Sequence, residues 1–299
     1  MRVVVTGGTG FLGHALVPAL RREGHEAVVV TRDPARSHLP AGARAVAWDE
    51  LPAAVDGAGA VVNLAGETIA QRWTAPAKAR IVGSRAEAAT KVGEALRAAK
   101  ARPGVLLNAS AVGFYGDRGD EELDESSGPG SGFLAETVVA WEEAARRAAP
   151  EGVRLVLPRI GVVLGEEGGA LSKMLLPFRL GVGGPLGSGR QWMPWIHRDD
   201  LVSLLVAALE DSRFEGPVNA VSPAPVTMRE FAATLGRVLR RPAFAPAPAF
   251  AIRAALGEMA SLVLDGQKVL PAKAAKLGFP FRFERLEPAL ADLLAPSPG

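Results

Sequence analysis

The sequence contains no cysteine, which excludes disulfides, a thiol nucleophile and a cysteine-based metal site. It has one tyrosine, Tyr115, so only one phenol is available for proton transfer. The four histidines are scattered, which argues against a metal centre. The formal charge is only +2, and no basic cluster interleaves with aromatics, so nucleic acid is not an expected partner. No apolar run is long enough to span a membrane, and none is expected as a partner. The apolar start Val3–Val5 is broken at once by glycines and does not read as a signal peptide. Cytoplasm is the expected compartment. No internal repeat is visible.

What remains is a 299-residue chain, 48% apolar and 22% charged, ordinary for a soluble globular protein with a large core. Its most informative stretch comes first. Arg2 to Val5 is a short apolar run, followed by Thr6-Gly7-Gly8-Thr9-Gly10-Phe11-Leu12-Gly13 and an apolar helix-like segment, Ala15 to Leu20. Strand, glycine turn and helix start together cradle a dinucleotide pyrophosphate. Gly8 and Gly10 are expected to let the backbone turn tightly and approach the ligand. Gly13 is expected to let the helix pack close to the strand. The helix N-terminus, at Gly10 to Gly13, then offers free N–H groups and a positive dipole end to phosphate. Gly7, Gly10, Phe11, Leu12 and Gly13 are the expected cofactor contacts here.

A second strand is expected over His25 to Thr31. NAD binders carry an acidic residue at this strand's end, for the ribose hydroxyls. Here Thr31-Arg32-Asp33-Pro34 stands instead. Arg32 can make a bidentate contact with a 2′-phosphate, which favours NADP. Asp33 reads as a helix cap before Pro34, although it could take the ribose role, which keeps NAD as the alternative.

Further strands are expected at Ala43 to Trp48, Gly59 to Leu64, Val105 to Asn108, Val153 to Leu157 and Pro217 to Val221. Asn63, Ala65 and Gly66 end the Gly59 strand and should line the cofactor. Glu67, Arg72 and Trp73 follow in a loop and are candidate substrate contacts, with Arg and indole able to hold an anionic or sugar-like group. A long helix is expected from Lys78 to Lys100, with Arg85 on it as a salt-bridge or capping residue. Ser110 and Tyr115 follow the Val105 strand and are the candidate catalytic hydroxyls. The acidic, glycine-rich stretch from Asp117 to Gly132 reads as a solvated, mobile loop over the site. Helices are expected at Phe133–Ala149, Asp199–Glu210, Met228–Leu239, Phe250–Leu264 and Glu287–Leu294. His197 reads as a structural hydrogen-bonder before a helix start, and Trp192 and Trp195 as packing residues.

These pieces resemble the extended short-chain dehydrogenase/reductase superfamily, which includes nucleotide-sugar epimerases. The resembling motifs are the glycine loop, Asn63-Leu64-Ala65-Gly66, Tyr115-Gly116, Pro158-Arg159 and Trp195-Ile196-His197-Arg198-Asp199-Asp200-Leu201. Within it, the chain is most similar to an atypical epimerase-family branch, often labelled cell-division-inhibitor-like. That branch's pattern shows in Ala65-Gly66-Glu67, Arg72-Trp73, Ser84-Arg85, Ser110-Ala111-Val112-Gly113, Trp141-Glu142 and the tail from Leu256-Gly257-Glu258-Met259-Ala260 to Gly278-Phe279. The resemblance implies an α/β fold: a Rossmann-type, doubly wound parallel sheet with a small C-terminal substrate lobe. The cofactor domain would span 1–165, with 195–225 returning to it. The lobe would take 166–194 and 226–299.

One departure limits the functional reading. Short-chain dehydrogenases use a Tyr with a Lys four residues later on a helix, and the Lys lowers the phenol's pKa. Four residues after Tyr115 stands Gly119, and Phe133-Leu134-Ala135-Glu136-Thr137-Val138 has neither Tyr nor Lys. Two functions stay open. One is an NADP-dependent reductase or epimerase-like enzyme on an unidentified small carbonyl or nucleotide-sugar-like molecule, using Tyr115 and Ser110, or more remotely Glu67 or Glu136. The other is an inactive NADP(H)-binding sensor module. Self-association as a homo-oligomer is open too.

Overall fold

The structure is a computed structural model and describes residues 1–39, 42–166 and 168–295. The chain opens with β1 (Arg2–Thr6), α1 (Phe11–Arg22), β2 (Glu26–Val30), β3 (Arg44–Val46), α2 (Leu51–Val55) and β4 (Ala60–Asn63). Next come α3 (Ala75–Ala98), β5 (Val105–Asn108), β6 (Ser110–Ala111), β7 (Glu122–Leu123), α4 (Phe133–Ala148) and β8 (Arg154–Ile160). The middle section contains β9 (Val162–Gly165), α5 (Gly169–Arg179), β10 (Trp192–Met193), β11 (Trp195–His197), α6 (Arg198–Glu210) and β12 (Gly216–Ala220). The chain closes with β13 (Val226–Thr227), α7 (Met228–Leu239), α8 (Ala249–Leu256), α9 (Ser261–Leu264), β14 (Lys268–Val269), α10 (Ala272–Lys276) and α11 (Leu286–Leu293).

The main sheet runs β12-β8-β5-β4-β1-β2-β3, with β6 also pairing β8, and its pairs are parallel. Helices cover both faces, which is why Val3, Val4 and Val5 are all fully buried. On one face α1 and α6 supply Leu16, Leu20, Leu201 and Leu205; on the other α2, α3 and α4 supply Leu51, Val92, Leu96 and Ala144. The strand order reverses at β1, with β2 on one side and β4 on the other. That reversal opens a crevice at the carboxyl ends of the strands.

A second core lies outside the sheet. Leu171, Phe178, Trp195, Phe231, Leu235, Phe283 and Leu290 pack together from α5, β11, α7, α11 and the segment before α11. Trp195 is fully buried there and its indole N–H donates to the Ala224 carbonyl at 3.0 Å. The expected lobe ranges also include residues 167 and 296–299, which lie outside the described residues.

Two expectations are corrected. The stretch 117–132 is not a free loop. It carries β7, which pairs in parallel with β14, and Leu123 is fully buried. The Glu125 carboxylate accepts from the Asn219 and Lys273 backbone N–H groups, which ties the stretch down further. Composition alone reads as solvated because the pairing partner lies some 145 residues away, an offset no local pattern reveals. The tail helix expected over Phe250–Leu264 is split. Gly257 takes φ +59°, and a short 3-10 turn separates α8 from α9.

Candidate dinucleotide site

The glycine loop joins β1 to α1 in the crevice. Gly7 is the residue in left-handed backbone, with φ +71°; Gly8 and Gly10 are not. A Cβ on Gly7 would lie 2.7 Å from the Leu64 carbonyl carbon, so a side chain there would collide with the loop after β4. A Cβ on Gly13 would fall 2.3 Å from the Gly8 oxygen, so α1 can start this close to the turn only with glycine at 13. Gly10 is the N-cap of α1 and provides no capping side chain. No acidic residue sits in the first helical turn. The N–H groups of that turn therefore stay open to an anion. The Phe11 ring is seated on Gly165, Gly168 and Gly169, where any Cβ would come within 3.3 Å of it. Leu12 packs against the α1–α6 core.

Arg32 follows β2 and is exposed, with no hydrogen bond or ion pair among the described residues. Its charge reaches Glu67 and helps to lower that carboxyl's pKa. Asp33 is a local cap: its carboxylate accepts from the Arg36 N–H at 3.2 Å. The two sides of the crevice are thus Arg32 beyond β2, and Ala65, Gly66 and Glu67 beyond β4.

A row of polar residues sets the height of this edge. Thr6, Asn63 and Asn108 are register partners at the ends of β1, β4 and β5. The Thr6 hydroxyl donates to Asn63 Oδ1 at 2.5 Å, and Asn63 Nδ2 donates to Asn108 Oδ1 at 2.6 Å. Asn63 Oδ1 also accepts from the Ala65 N–H at 3.3 Å. All three side chains are fully buried. Asn63 thus shapes the loop that follows it. Thr6 and Asn108 escaped sequence reasoning, although each is a polar residue closing an apolar run.

A second row lies further along. Ser110, Arg159 and Asn219 are register partners on β6, β8 and β12. The Ser110 hydroxyl donates to Glu142 Oε1 at 2.7 Å. Arg159 grips the same carboxylate with Nε at 2.8 Å and Nη2 at 3.1 Å. The Tyr115 hydroxyl donates to Asn219 Oδ1 at 2.7 Å, with the Asp124 carbonyl at 2.9 Å, and accepts from Arg159 Nη1 at 3.0 Å. Tyr115 is 0% exposed and Ser110 2%. Burial pushes the Tyr115 phenol above its ordinary value despite the opposing pull of Arg159. Neither hydroxyl reaches solvent. Both candidate hydroxyls thus sit in a buried network that joins α4 to the sheet.

The loop after β4 carries the three candidate substrate contacts. Trp73 is buried, edge-on to Phe133 at 4.8 Å between ring centroids, and its N–H donates to the Ile69 carbonyl at 2.9 Å. Arg72 is exposed. Glu67 Oε1 accepts from Gln71 and Arg80, both at 3.1 Å; these hold its carboxyl below the usual range, with Arg80 and Arg32 adding charge. An ionised Glu67 is no general acid. Glu136 is exposed on the first turn of α4.

The chain is similar over nearly its whole length to proteins whose kinship now has a structural basis. A profile described as the NAD dependent epimerase/dehydratase family matches residues 3–220, and one described as a domain of unknown function, DUF1731, matches 247–293. "Epimerase family protein SDR39U1" of Homo sapiens is 41% identical over 301 residues, covering 99% of this chain and 100% of that protein. The chloroplastic SDR39U1 homolog of Arabidopsis thaliana is 44% identical over 302 residues, covering 98% of this chain and 87% of its own. A crystal structure of human SDR39U1 with NADPH superposes with a TM-score of 0.91, at 41% identity, covering 98% of this chain and 99% of that one. No helix among the described residues is long and apolar enough to cross a membrane.

Proposed function

The chain belongs to the NAD dependent epimerase/dehydratase family, and from that premise we propose that it binds NADP(H) in the crevice and uses it on a small carbonyl or nucleotide-sugar-like molecule. The observation that carries this reading is Arg32, an exposed and unpaired guanidinium among the described residues at the end of β2. The NADPH-bound human relative supports the same choice of cofactor.

The residues fit such a ligand. Gly7, Gly10 and Gly13 leave the loop without side chains, and the first-turn N–H groups of Phe11, Leu12 and Gly13 face a pyrophosphate. Arg32 would hold the 2′-phosphate through charge-assisted bonds. Ala65 and Gly66 would approach the far half, with Asn63 fixing their height from below. Glu67 and Arg72 follow β4, where a substrate would enter. The bound cofactor would supply hydride exchange. Tyr115 and Ser110 take no part, so proton transfer falls to a group of the substrate, water or another crevice residue. Residues 1–165 and 195–225 would form the cofactor domain, and the α5–α7–α11 core the substrate lobe.

A second reading, a cofactor-responsive module without turnover, is favoured by the commitment of both hydroxyls to the buried network. Two measurements decide. NADPH and NADH are titrated against the protein, with NADPH expected to bind more tightly. The NADPH complex is then screened for hydride transfer with carbonyl compounds and nucleotide sugars. Equal cofactor affinities would defeat the NADP assignment. No turnover across the screen, with cofactor-dependent capture of a protein partner, would favour the module.

A further inference from the structure

Arg85 satisfies neither role expected of it. Among the described residues no carboxylate lies within ion-pair distance of it. Its Nη1 donates to two carbonyls, Glu67 O and Ile81 O, each at 2.9 Å. Nε and Nη2 donate to nothing among the described residues. The carboxylate whose field reaches it is that of Glu67, which is already engaged by Gln71 and Arg80. Burial pushes the guanidinium down to about 10. The side chain is half-buried, and a partly desolvated cation with no ion-pair partner among the described residues favours an anion.

Its neighbours fix its position. The side chain lies along Gly66, where a Cβ would stand 3.2 Å from Arg85 Cζ. Its Cζ sits 4.8 Å from the centroid of the Trp141 ring, which covers one face. The Trp141 indole N–H is itself buried and unpartnered among the described residues. Ser84, one residue earlier, accepts the Glu67 N–H at 2.9 Å and fixes the loop that Arg85 also holds.

Position narrows the ligand. The two halves of a dinucleotide lie on either side of the point where strand order reverses. Arg32, after β2, marks the adenosine side. Gly66 and Arg85, after β4, mark the other side, where a substrate meets the nicotinamide.

We propose that Arg85 binds a carboxylate or phosphate of the substrate beside Gly66, through the free fork of Nε and Nη2. The inference rests on the cofactor reading above. It restricts the substrate to anionic compounds, because a neutral one would leave the half-buried guanidinium unpaired. Lysine could not replace the arginine fully, since it keeps the charge but loses the planar fork.

The test uses wild type, Arg85→Gln and Arg85→Lys, with thermal melts to establish that each is folded. NADPH is titrated first, by fluorescence. Each NADP⁺-saturated protein is then titrated calorimetrically with inorganic phosphate and with oxalate at fixed ionic strength. Unchanged NADPH affinity is expected in all three. Wild type should bind at least one anion with unit stoichiometry, Arg85→Gln at least tenfold more weakly, and Arg85→Lys at an intermediate level. If Arg85→Gln does not fold, Arg85→Lys carries the comparison, with at least a threefold loss expected. Wild-type holoprotein that binds neither anion overturns the proposal, as do folded variants that bind them as wild type does. Loss of NADPH affinity in Arg85→Gln assigns the residue to the cofactor's own phosphates and also overturns it. Wild type that fails to bind NADPH defeats the cofactor reading itself, which the first titration alone reveals.

Discussion

Gly7 and Leu64 meet backbone to backbone across the crevice, so closely that a Cβ on Gly7 would stand 2.7 Å from the Leu64 carbonyl carbon. Gly7 also holds φ +71°, so space and conformation both demand glycine. Gly7→Ala should destabilise the protein by about 1–3 kcal/mol and abolish NADPH binding. Gly10→Ala is the comparison, since its nearest obstacle is the Gly7 oxygen at 3.2 Å and its φ is −88°. That variant should lose much less stability. Urea unfolding of both checks the difference; equal midpoints would contradict it.

Arg32→Ala removes the one charge at the end of β2 that could meet a 2′-phosphate. NADPH affinity should fall about ten- to hundredfold, the worth of a charge-assisted contact. NADH affinity should stay where it was. Fluorescence titration of both cofactors separates this from a general loss, and a parallel drop for NADH would point to the loop instead.

Tyr115→Phe should cost about 1–3 kcal/mol, because Arg159 and Asn219 both lose a buried partner. Turnover per folded molecule, if found, should not change. Glu142→Gln should cost more, about 3–5 kcal/mol, since it leaves the Arg159 charge buried without its counter-ion. Chemical denaturation measures both, and turnover lost from a Tyr115→Phe protein of unaltered stability would restore the phenol to the chemistry.

His197 makes stability depend on pH. Its Nδ1 accepts the Asp199 N–H at 3.1 Å, which caps α6 and requires that nitrogen to be unprotonated. The ring is buried and stacked on Phe283 at 4.0 Å. Burial depresses its pKa, outweighing the upward pull of Asp199, Asp292 and Asp200, while Arg198 adds to the depression. In the unfolded chain the histidine binds its proton at higher pH. The stabilising contribution is therefore complete above about 6.5 and declines as pH falls from there toward the folded value. Urea midpoints from pH 8 to 5 should drop in wild type and less in His197→Gln. Identical slopes would remove His197 as the cause.

The legible parts were those with local causes. The apolar runs of β1, β2, β4 and β5 and the start of α7 stand within a residue or two of expectation, since burial on both faces demands continuous apolar sequence. The glycine loop was legible for the same reason, although which glycine takes left-handed backbone, Gly7, was not. The short strands β7 and β14 were not, because neither has a pattern apart from its distant partner. The burial of Tyr115 and Ser110 was not legible for a related reason. A hydroxyl just after a strand reads as available until the elements above it are placed.

The sequence by itself determined that a strand, a glycine turn and a helix would present open N–H groups, with an arginine at the end of the next strand. Those features depend on residues close along the chain, whose conformations backbone sterics and apolar burial dictate. Which polar side chains are free was decided only by tertiary packing. Glu142 and Arg159 come from separate elements, and their pairing takes Ser110 and Tyr115 into the interior. Glu67 turns to Gln71 and Arg80, which leaves Arg85 beside Gly66 with two of its nitrogens unspent. A buried charge is satisfied by whatever the fold brings within about 3 Å, and that distance is set in space, not along the chain.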